Sequence, residues 1–389
     1  MPNKEIHKIF VKRFFLNGLL MLFVASLFAE PAFTVQKVEV YGHQFQCKTK
    51  LSYPPLTYPI GQDQVETCLQ QTNKAILNQL KQEMDVFALN YRLDDLAYVL
   101  FVQKVSKSFY ADPNVAKLFQ YQLLKEKGYQ LLLGYTAEQL TVYGHFLYDL
   151  ANVAEVTYNN LSYTDLSFNQ NLALCEEQLI EHSGGSRNFE INQHKAPLFN
   201  AQKTTYCFST DFNGKSYSFQ GTLNQSLIAY YRDLPSISFG EIYLNYQLSD
   251  FVYEQLIGDL KKAVKKMPTR MQLDFLLHFT QEVIPYQTDK KLYGREKFSF
   301  PEEVLGNQAG DCEDKSILFA YLVKEVLQLP SLALVYVHQN HLNVAVAVSG
   351  TQYNFVYNNQ KYIVCEPSGP GLQAGENVYD WKNAHIVAW

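Results

Sequence analysis

Charge is scarce in this chain, and neither sign dominates it. Among 389 residues, Asp, Glu, Lys and Arg make up 18%, against the usual quarter. The 33 Lys+Arg and 38 Asp+Glu leave a net charge of −5. So slight an acidic balance gives no general attraction to nucleic acid or acidic lipid, and no nucleic-acid partner is expected. Cysteine is sparse too: 6 residues are too few to staple so long a chain as a disulfide scaffold. Phosphate-loop, dinucleotide and zinc-spacing patterns are missing, so neither a cofactor nor a metal ligand is assigned. What the chain has is aromatic residues, 28 Tyr and 26 Phe, a composition of ordered rather than disordered chains. Its length accommodates two or three domains, each with a core.

The amino terminus has its own pattern. Lys4, Lys8, Lys12 and Arg13 precede an apolar stretch over 14–29 that is broken only by Asn17, Gly18 and Ser26. This is the layout of a secretory signal peptide, and the stretch is short for a membrane span. Small residues suited to cleavage stand at Ser26 and Ala29. Residues 1–29 are therefore expected to be a signal peptide and the body to be periplasmic or extracellular, with an uncleaved anchor as the alternative. No later run reaches the length of a span, so the mature chain is expected to have none.

Three regions follow. Over 34–165 the pattern is extended, then helical, then extended again. Val65, Cys68, Leu69, Thr72, Ile76, Leu80 and Met84 share a 3.6-residue period behind Asp63 and Glu66 at capping-box spacing, which predicts one amphipathic helix. Another helix is framed by Pro113 and Gly128, and strands are expected over 129–135 and 140–146. Over 166–248 the signals turn to strands: Asn213-Gly214 between alternating runs predicts a hairpin, because both residues tolerate positive φ. Ser183-Gly184-Gly185-Ser186 predicts a turn. Over 249–389 helices return, one carrying Leu256, Leu260 and Val264, the next opened by Thr269 with Gln272 at capping-box spacing. The expected fold class is α+β: a mixed helix and strand domain, a β-rich middle domain, and a carboxy-terminal domain of helices on an antiparallel sheet.

That last region holds the chemistry. Gly310-Asp311-Cys312-Glu313-Asp314 leads into Ile317, Leu318, Tyr321 and Leu322, placing Cys312 in the first turn of a helix. The positive end of the helix is expected to stabilise a thiolate there and lower its pKa. His341 opens a strand in which Leu342, Val344 and Val346 alternate with Asn343, Ala345 and Ala347. His341 shares the face of the small alanines, which are expected to leave room for the cysteine helix. On the next strand Tyr362, Val364 and Glu366 occupy one face, so Glu366 can reach His341 if the two strands are antiparallel neighbours. Nucleophile, base and orienting acid would then lie at Cys312, His341 and Glu366.

With these residues in place, the segment resembles the transglutaminase-like superfamily of papain-type cysteine enzymes. Within it, the chain is similar to an uncharacterised bacterial branch through Phe279-Thr280-Gln281, Tyr286, Asp289, Tyr293-Gly294-Arg295-Glu296-Lys297, Pro301-Glu302-Glu303, Gly310-Asp311-Cys312-Glu313-Asp314 and Glu366-Pro367-Ser368. The resemblance covers about 270–376. It implies a Cys-His-acid triad at Cys312, His341 and Glu366, and a transglutaminase-like fold for that region. Where the family usually carries Asp-Pro-Thr this chain has Glu366-Pro367-Ser368, one methylene longer at the acid.

His338 is the rival base and is expected to lie in a loop, while Cys365 is expected to be packing. Cys47 with Cys68 and Cys175 with Cys207 are candidate disulfides, with Cys68 fitting a helix core equally well. Gln281 and Asp289 read as helix capping or loop bracing. The order of a helix from 113 and strands from 129 and 140, with an extended 161–163, repeats coarsely the elements around Cys312, and Asp112 stands nine residues before Tyr121 as Cys312 does before Tyr321. A degenerate copy without a nucleophile would look like this. The expected function is an exported cysteine enzyme that cleaves or transfers a peptide or carboxamide acyl group through a thioester, hydrolysis favoured, with a protein or peptide as substrate. The alternative is an inactive module of the same fold used for binding or assembly.

Overall fold

The computed structural model describes residues 35–168, 177–180, 185–192, 195–237 and 240–389. The signal-peptide region, Cys175, Ser183 and Gly184 lie outside the described residues. Helix and antiparallel sheet are mixed along the chain, an α+β arrangement. No helix among the described residues is long and apolar enough to cross a membrane.

The chain opens with a hairpin of β1 (Gln36–Val40) and β2 (His43–Cys47). Helices α1 (Gln62–Gln70) and α2 (Lys74–Asn90) follow. The single helix expected across this stretch is two, because Asn73 leaves helical geometry and its side chain accepts the N–H groups of Ala75 and Ile76, starting a second helix. Helix α3 (Asp95–Phe109), capped by Asp94, packs against β1 and against helix α4 (Pro113–Glu126), and α4, capped by Asp112, packs against a sheet. Its strands are β3 (Leu131–Tyr135), β4 (Leu140–Gly144), β6 (Glu155–Tyr158), β7 (Leu161–Asp165) and β8 (Gln178–Ile180). Their spatial order is β6-β7-β4-β3-β8, and every pairing is antiparallel. A short β5 (Leu150–Ala151) stands outside that sheet.

The stretch expected as a β-rich middle domain is shared out. Its β8 completes the first sheet. Strands β9 (Lys203–Phe212) and β10 (Lys215–Asn224) form the long hairpin turning at Asn213 and Gly214, with φ of 50° and 73°. Helix α5 (Gln225–Asp233) follows directly, capped by Asn224, and β11 (Ser236–Ile237) pairs back to β5.

A helix over 250–264, with a π turn at Tyr253–Ile257, leads to α6 (Thr269–Val283). Thr269 does not cap α6: the carbonyl of Pro268 takes the Gln272 N–H, and the Thr269 side chain makes no capping bond. After α7 (Pro301–Asn307) comes α8 (Cys312–Leu322), which continues through a π turn at Val323–Leu327. The second sheet comprises β12 (Ser331–Tyr336), β13 (His341–Ala347), β14 (Phe355–Tyr357), β15 (Gln360–Cys365) and β16 (His385–Ala388). Its order is β14-β15-β13-β12-β16, again antiparallel throughout. One face of this sheet, with Leu342, Val344, Val346, Ile363 and Cys365, joins the main core beside Ile317 and Leu318 of α8. The other, with Leu334, Tyr336, Ala345, Tyr362 and Val364, forms a smaller core under Tyr379 and Trp381.

Candidate functional site

Asp311 is extended (φ −92°, ψ −156°) and releases the chain into α8, so Cys312 is the first helical residue. Cys312 is buried, with 5% of its surface exposed. Its Sγ donates to Glu313 Oε2 at 2.8 Å and lies 3.8 Å from the Asn340 carbonyl oxygen. One turn on, Ser316 Oγ donates to the Leu342 carbonyl at 2.9 Å, fastening the start of α8 to the start of β13. Among the described residues no hydrogen bond joins Cys312 to His341; Sγ instead reaches the backbone of the residues on either side of His341, Asn340 and Leu342.

The thiol differs from the sequence expectation. Burial, then the Glu313 and Asp311 carboxylates, push the Cys312 thiol well above its ordinary value. The helix end is present, but its partial charge of about half a unit faces carboxylates on both neighbouring residues, and desolvation disfavours the thiolate further.

His341 pairs with Tyr336 at the mouth of the β12–β13 hairpin. Its Nε2 lies 2.9 Å from Glu366 Oε2 and 2.9 Å from Asn343 Oδ1. Two acceptor oxygens at one ring nitrogen require a proton there, so Nε2 carries a hydrogen, and in the neutral ring the lone pair falls to Nδ1. Glu366 is 1% exposed, and Ser368 Oγ donates to its other oxygen at 2.6 Å. The ring of Tyr379 packs edge-on to His341 at 5.0 Å. The extra methylene of Glu366 is thus accommodated, since β15 pairs with β13 and delivers the carboxylate beside the imidazole. The alanine face has another role than expected: Ala345 and Ala347 pack in the smaller core, whereas α8 lies on the valine face.

Asn343 escaped the sequence reading. The signal was there, because Asn343 follows His341 by two and a strand puts such residues on one face. His338 is exposed in a turn at Val337–Gln339. Cys365 is fully buried in the main core. Cys47, Cys68 and Cys207 are free thiols, so Cys47 and Cys68 form no disulfide; Cys68 sits in the core stripe of α1. Gln281 braces a loop: its Nε2 donates to the carbonyls of Glu366 and Leu372, each at 3.0 Å, and its Oε1 accepts the Gly371 N–H at 3.2 Å. Asp289 accepts the Lys297 N–H at 2.7 Å.

A grouping of acids beside Cys312 was not foreseen, and the sequence assigned no metal ligand. Asp289, Asp311 and Asp314 bring carboxylate oxygens within 4.8 Å of one another, as do Asp289, Glu296 and Glu313. Asp289 Oδ1, Asp311 Oδ1 and Asp314 Oδ2 are buried with no hydrogen-bond donor. Burial first, and the neighbouring acids next, raise Asp311 to about 10 and hold Asp314 well above the carboxylate range. Burial likewise raises Asp289 to about 7. Protons or a cation must compensate such a cluster, and an all-oxygen donor set with orphaned carboxylate atoms fits a hard divalent cation.

No protein-family model matches the chain, and no curated protein matches it. Among solved structures it is similar to Legionella pneumophila LapG, at 17% identity, TM-score 0.24, covering 38% of this chain and 76% of that one. The calcium-bound form of LapG gives 18%, TM-score 0.25, with 38% and 78% covered. The EGTA-treated form gives 18%, TM-score 0.23, with 36% and 70% covered. At such scores the likeness says nothing about chemistry.

Proposed function

We propose that the chain is an exported, transglutaminase-like cysteine enzyme that acts on a peptide or carboxamide carbonyl through Cys312, His341 and Glu366, with hydrolysis as its outcome. The observation that carries this reading is the double anchoring of His341 Nε2 by Glu366 and Asn343, each at 2.9 Å, at the end of β13 nearest Cys312. In its neutral form an imidazole so held has Nδ1 as its basic nitrogen, the form a general base needs.

His341 Nδ1 takes the Cys312 proton as Sγ attacks the carbonyl carbon. The N–H groups of the first turn of α8, which have no acceptor within the helix, are the donors on hand for the oxygen on which negative charge gathers. The C–N bond breaks, the imidazolium returns the proton to the leaving amine, and a thioester remains. His341 then removes a proton from water, whose oxygen attacks the thioester; the acid departs and the thiol is restored. Glu366 stabilises the imidazolium in both steps.

Asp289, Asp311 and Asp314, with Glu296 and Glu313, are read as the seat of a hard divalent cation. Such an ion supplies positive charge beside the thiol and offsets the acids that oppose its ionisation.

The test is labelling with a thiol-directed electrophile, read at Cys312 by peptide mapping, in wild type and in Cys312→Ala, His341→Ala and Glu366→Ala. Fast labelling that depends on His341 and Glu366 supports the enzyme. Slow labelling indifferent to both favours the second reading, an inactive binding or assembly module, for which the Cys312–Glu313 hydrogen bond is the favouring observation.

A further inference from the structure

The two sheets are built alike. Hairpin β1–β2, the helix Lys74–Asn90, link 91–94, α3, α4 and the sheet β6-β7-β4-β3-β8 are followed by hairpin β9–β10, the helix over 250–264, link 265–268, α6, α8 and the sheet β14-β15-β13-β12-β16. Both α3 and α6 have 15 residues. Each central hairpin has a four-residue loop, 136–139 or 337–340, closed by Tyr135↔Leu140 or Tyr336↔His341. Leu118, Phe119 and Tyr121 of α4 stand 200 positions before Leu318, Phe319 and Tyr321 of α8. After the helices the spacing is 336 − 135 = 201, and the π turn Val323–Leu327 supplies the inserted residue.

This matching converts the first half into an internal control. Cys312 falls opposite Asp112 and His341 opposite Leu140. By the pairings Val344↔Cys365 and Tyr143↔Asp165, Glu366 falls opposite Leu166. None of the three keeps its chemistry in the first half. Gln281, thirteenth residue of α6, falls opposite exposed Lys107, thirteenth of α3. Lys315 falls opposite Val115. The first half thus builds the same helices and sheet without either residue.

In the second half these two residues connect the elements of the site. Lys315 Nζ, on α8 three residues beyond Cys312, donates to the Gln281 and Ile284 carbonyls at 3.2 and 2.6 Å. The Gln281 side chain makes the three bonds that hold the backbone from Glu366 to Leu372. Gln281 is 5% exposed, and its side-chain hydrogen bonds go to the Glu366, Leu372 and Gly371 backbone rather than to Cys312 or His341. We infer that Gln281 is a positioning residue, kept in the half that carries the triad to fix Glu366, and through it the His341 ring, relative to α8. This inference rests on the cysteine-enzyme reading.

The experiment compares full-length wild type, Gln281→Glu, His341→Ala and Lys107→Met, selectively labelled with ¹⁵N-histidine. Two quantities are read: the rate of Cys312 alkylation by iodoacetamide at fixed pH, by peptide mapping, and the His341 Nε2–H resonance. Gln281→Glu keeps the side-chain shape and the acceptor for Gly371 but loses both donors. It is expected to slow Cys312 alkylation about tenfold, the scale of a small misplacement of a catalytic group, and to shift or broaden the Nε2–H signal. Lys107→Met should match wild type in both. If His341→Ala slows alkylation while Gln281→Glu leaves rate and resonance at wild-type values, the inference is overturned. If His341→Ala alkylates as wild type does, the enzyme reading falls first and this one with it. Should Gln281→Glu fail to fold, Gln281→Met, which buries no charge, is read in the same two ways.

Discussion

Lys297 Nζ lies 2.6 Å from Glu303 Oε2, and both side chains are fully buried. The pair fixes the segment that carries Asp289, because the Lys297 backbone N–H is itself bonded to Asp289 Oδ2. Removing one partner strands the other as a buried charge, a loss of about 3–5 kcal/mol. Lys297→Met and Glu303→Gln are therefore each expected to lower stability by that order in urea titrations. The double variant should be less destabilised than the sum of the two. Additive losses would show that the two charges do not interact.

The legible part of this molecule is the part governed by local period. Asn213-Gly214 announces its hairpin through backbone freedom alone. The alternation along β13 and β15 sets the face of His341 within one strand and of Glu366 within the other, and the antiparallel register of the two strands is what brings those faces together. Local rules fail where a competing local bond wins, as when Asn73 restarts a helix or Pro268 supplies the carbonyl that starts α6. They fail more deeply where distant segments meet. Nothing within 166–248 says that β8 pairs with β3 or that β11 pairs with β5. The acid cluster depends on Asp289 reaching α8 from a loop seated by a buried ion pair, so only Asp311, Glu313 and Asp314 could be seen as a group in sequence. The words Lys297 and Pro301-Glu302-Glu303, noted first as a resemblance, prove to be the struts of that loop.

Glu302 supplies a pH dependence. Burial raises its carboxyl to about 7, although it accepts hydrogen bonds from the backbone N–H groups of Asn224 and Ser249 and from the Ser249 hydroxyl. The folded pKa is above the unfolded one, so the folded state binds the extra proton between about 4.5 and about 7. The contribution is greatest below that window, is lost as pH rises through it, and is of order 3 kcal/mol. Urea midpoints of wild type and Glu302→Gln measured from pH 4 to 8 should diverge as pH rises, the wild type losing ground. A constant difference would contradict the assignment.

Asn343 separates stability from activity. Its Oδ1 is the second acceptor at His341 Nε2, while its Nδ2 is buried without a partner. An unpaired buried amide costs free energy, so an apolar replacement of similar shape relieves it. Asn343→Leu is expected to leave the thermal midpoint unchanged or raised, and to slow Cys312 labelling several-fold, less than Glu366→Ala does. Unaltered labelling would show that Glu366 alone orients the imidazole.

The acid cluster predicts a response to divalent cations that is independent of catalysis. Asp289, Asp311 and Asp314 each bring a carboxylate oxygen within 4.8 Å of the others, and each has a buried oxygen without a donor, so a cation would satisfy in the folded state what water satisfies in the unfolded one. Calcium at about one hundred times its dissociation constant would stabilise the fold by about 2.7 kcal/mol. Thermal unfolding after chelation and again with added calcium should show a midpoint several degrees higher in the second scan. Asp314→Asn removes the most deeply buried carboxyl of the cluster, and with it a ligand oxygen, and should abolish most of that difference. A calcium response of wild-type size in Asp314→Asn would place the ion elsewhere. No response in wild type would leave protons as the compensating charge, and stability of the chelated protein should then fall as pH rises through about 7, where Asp289 loses its proton.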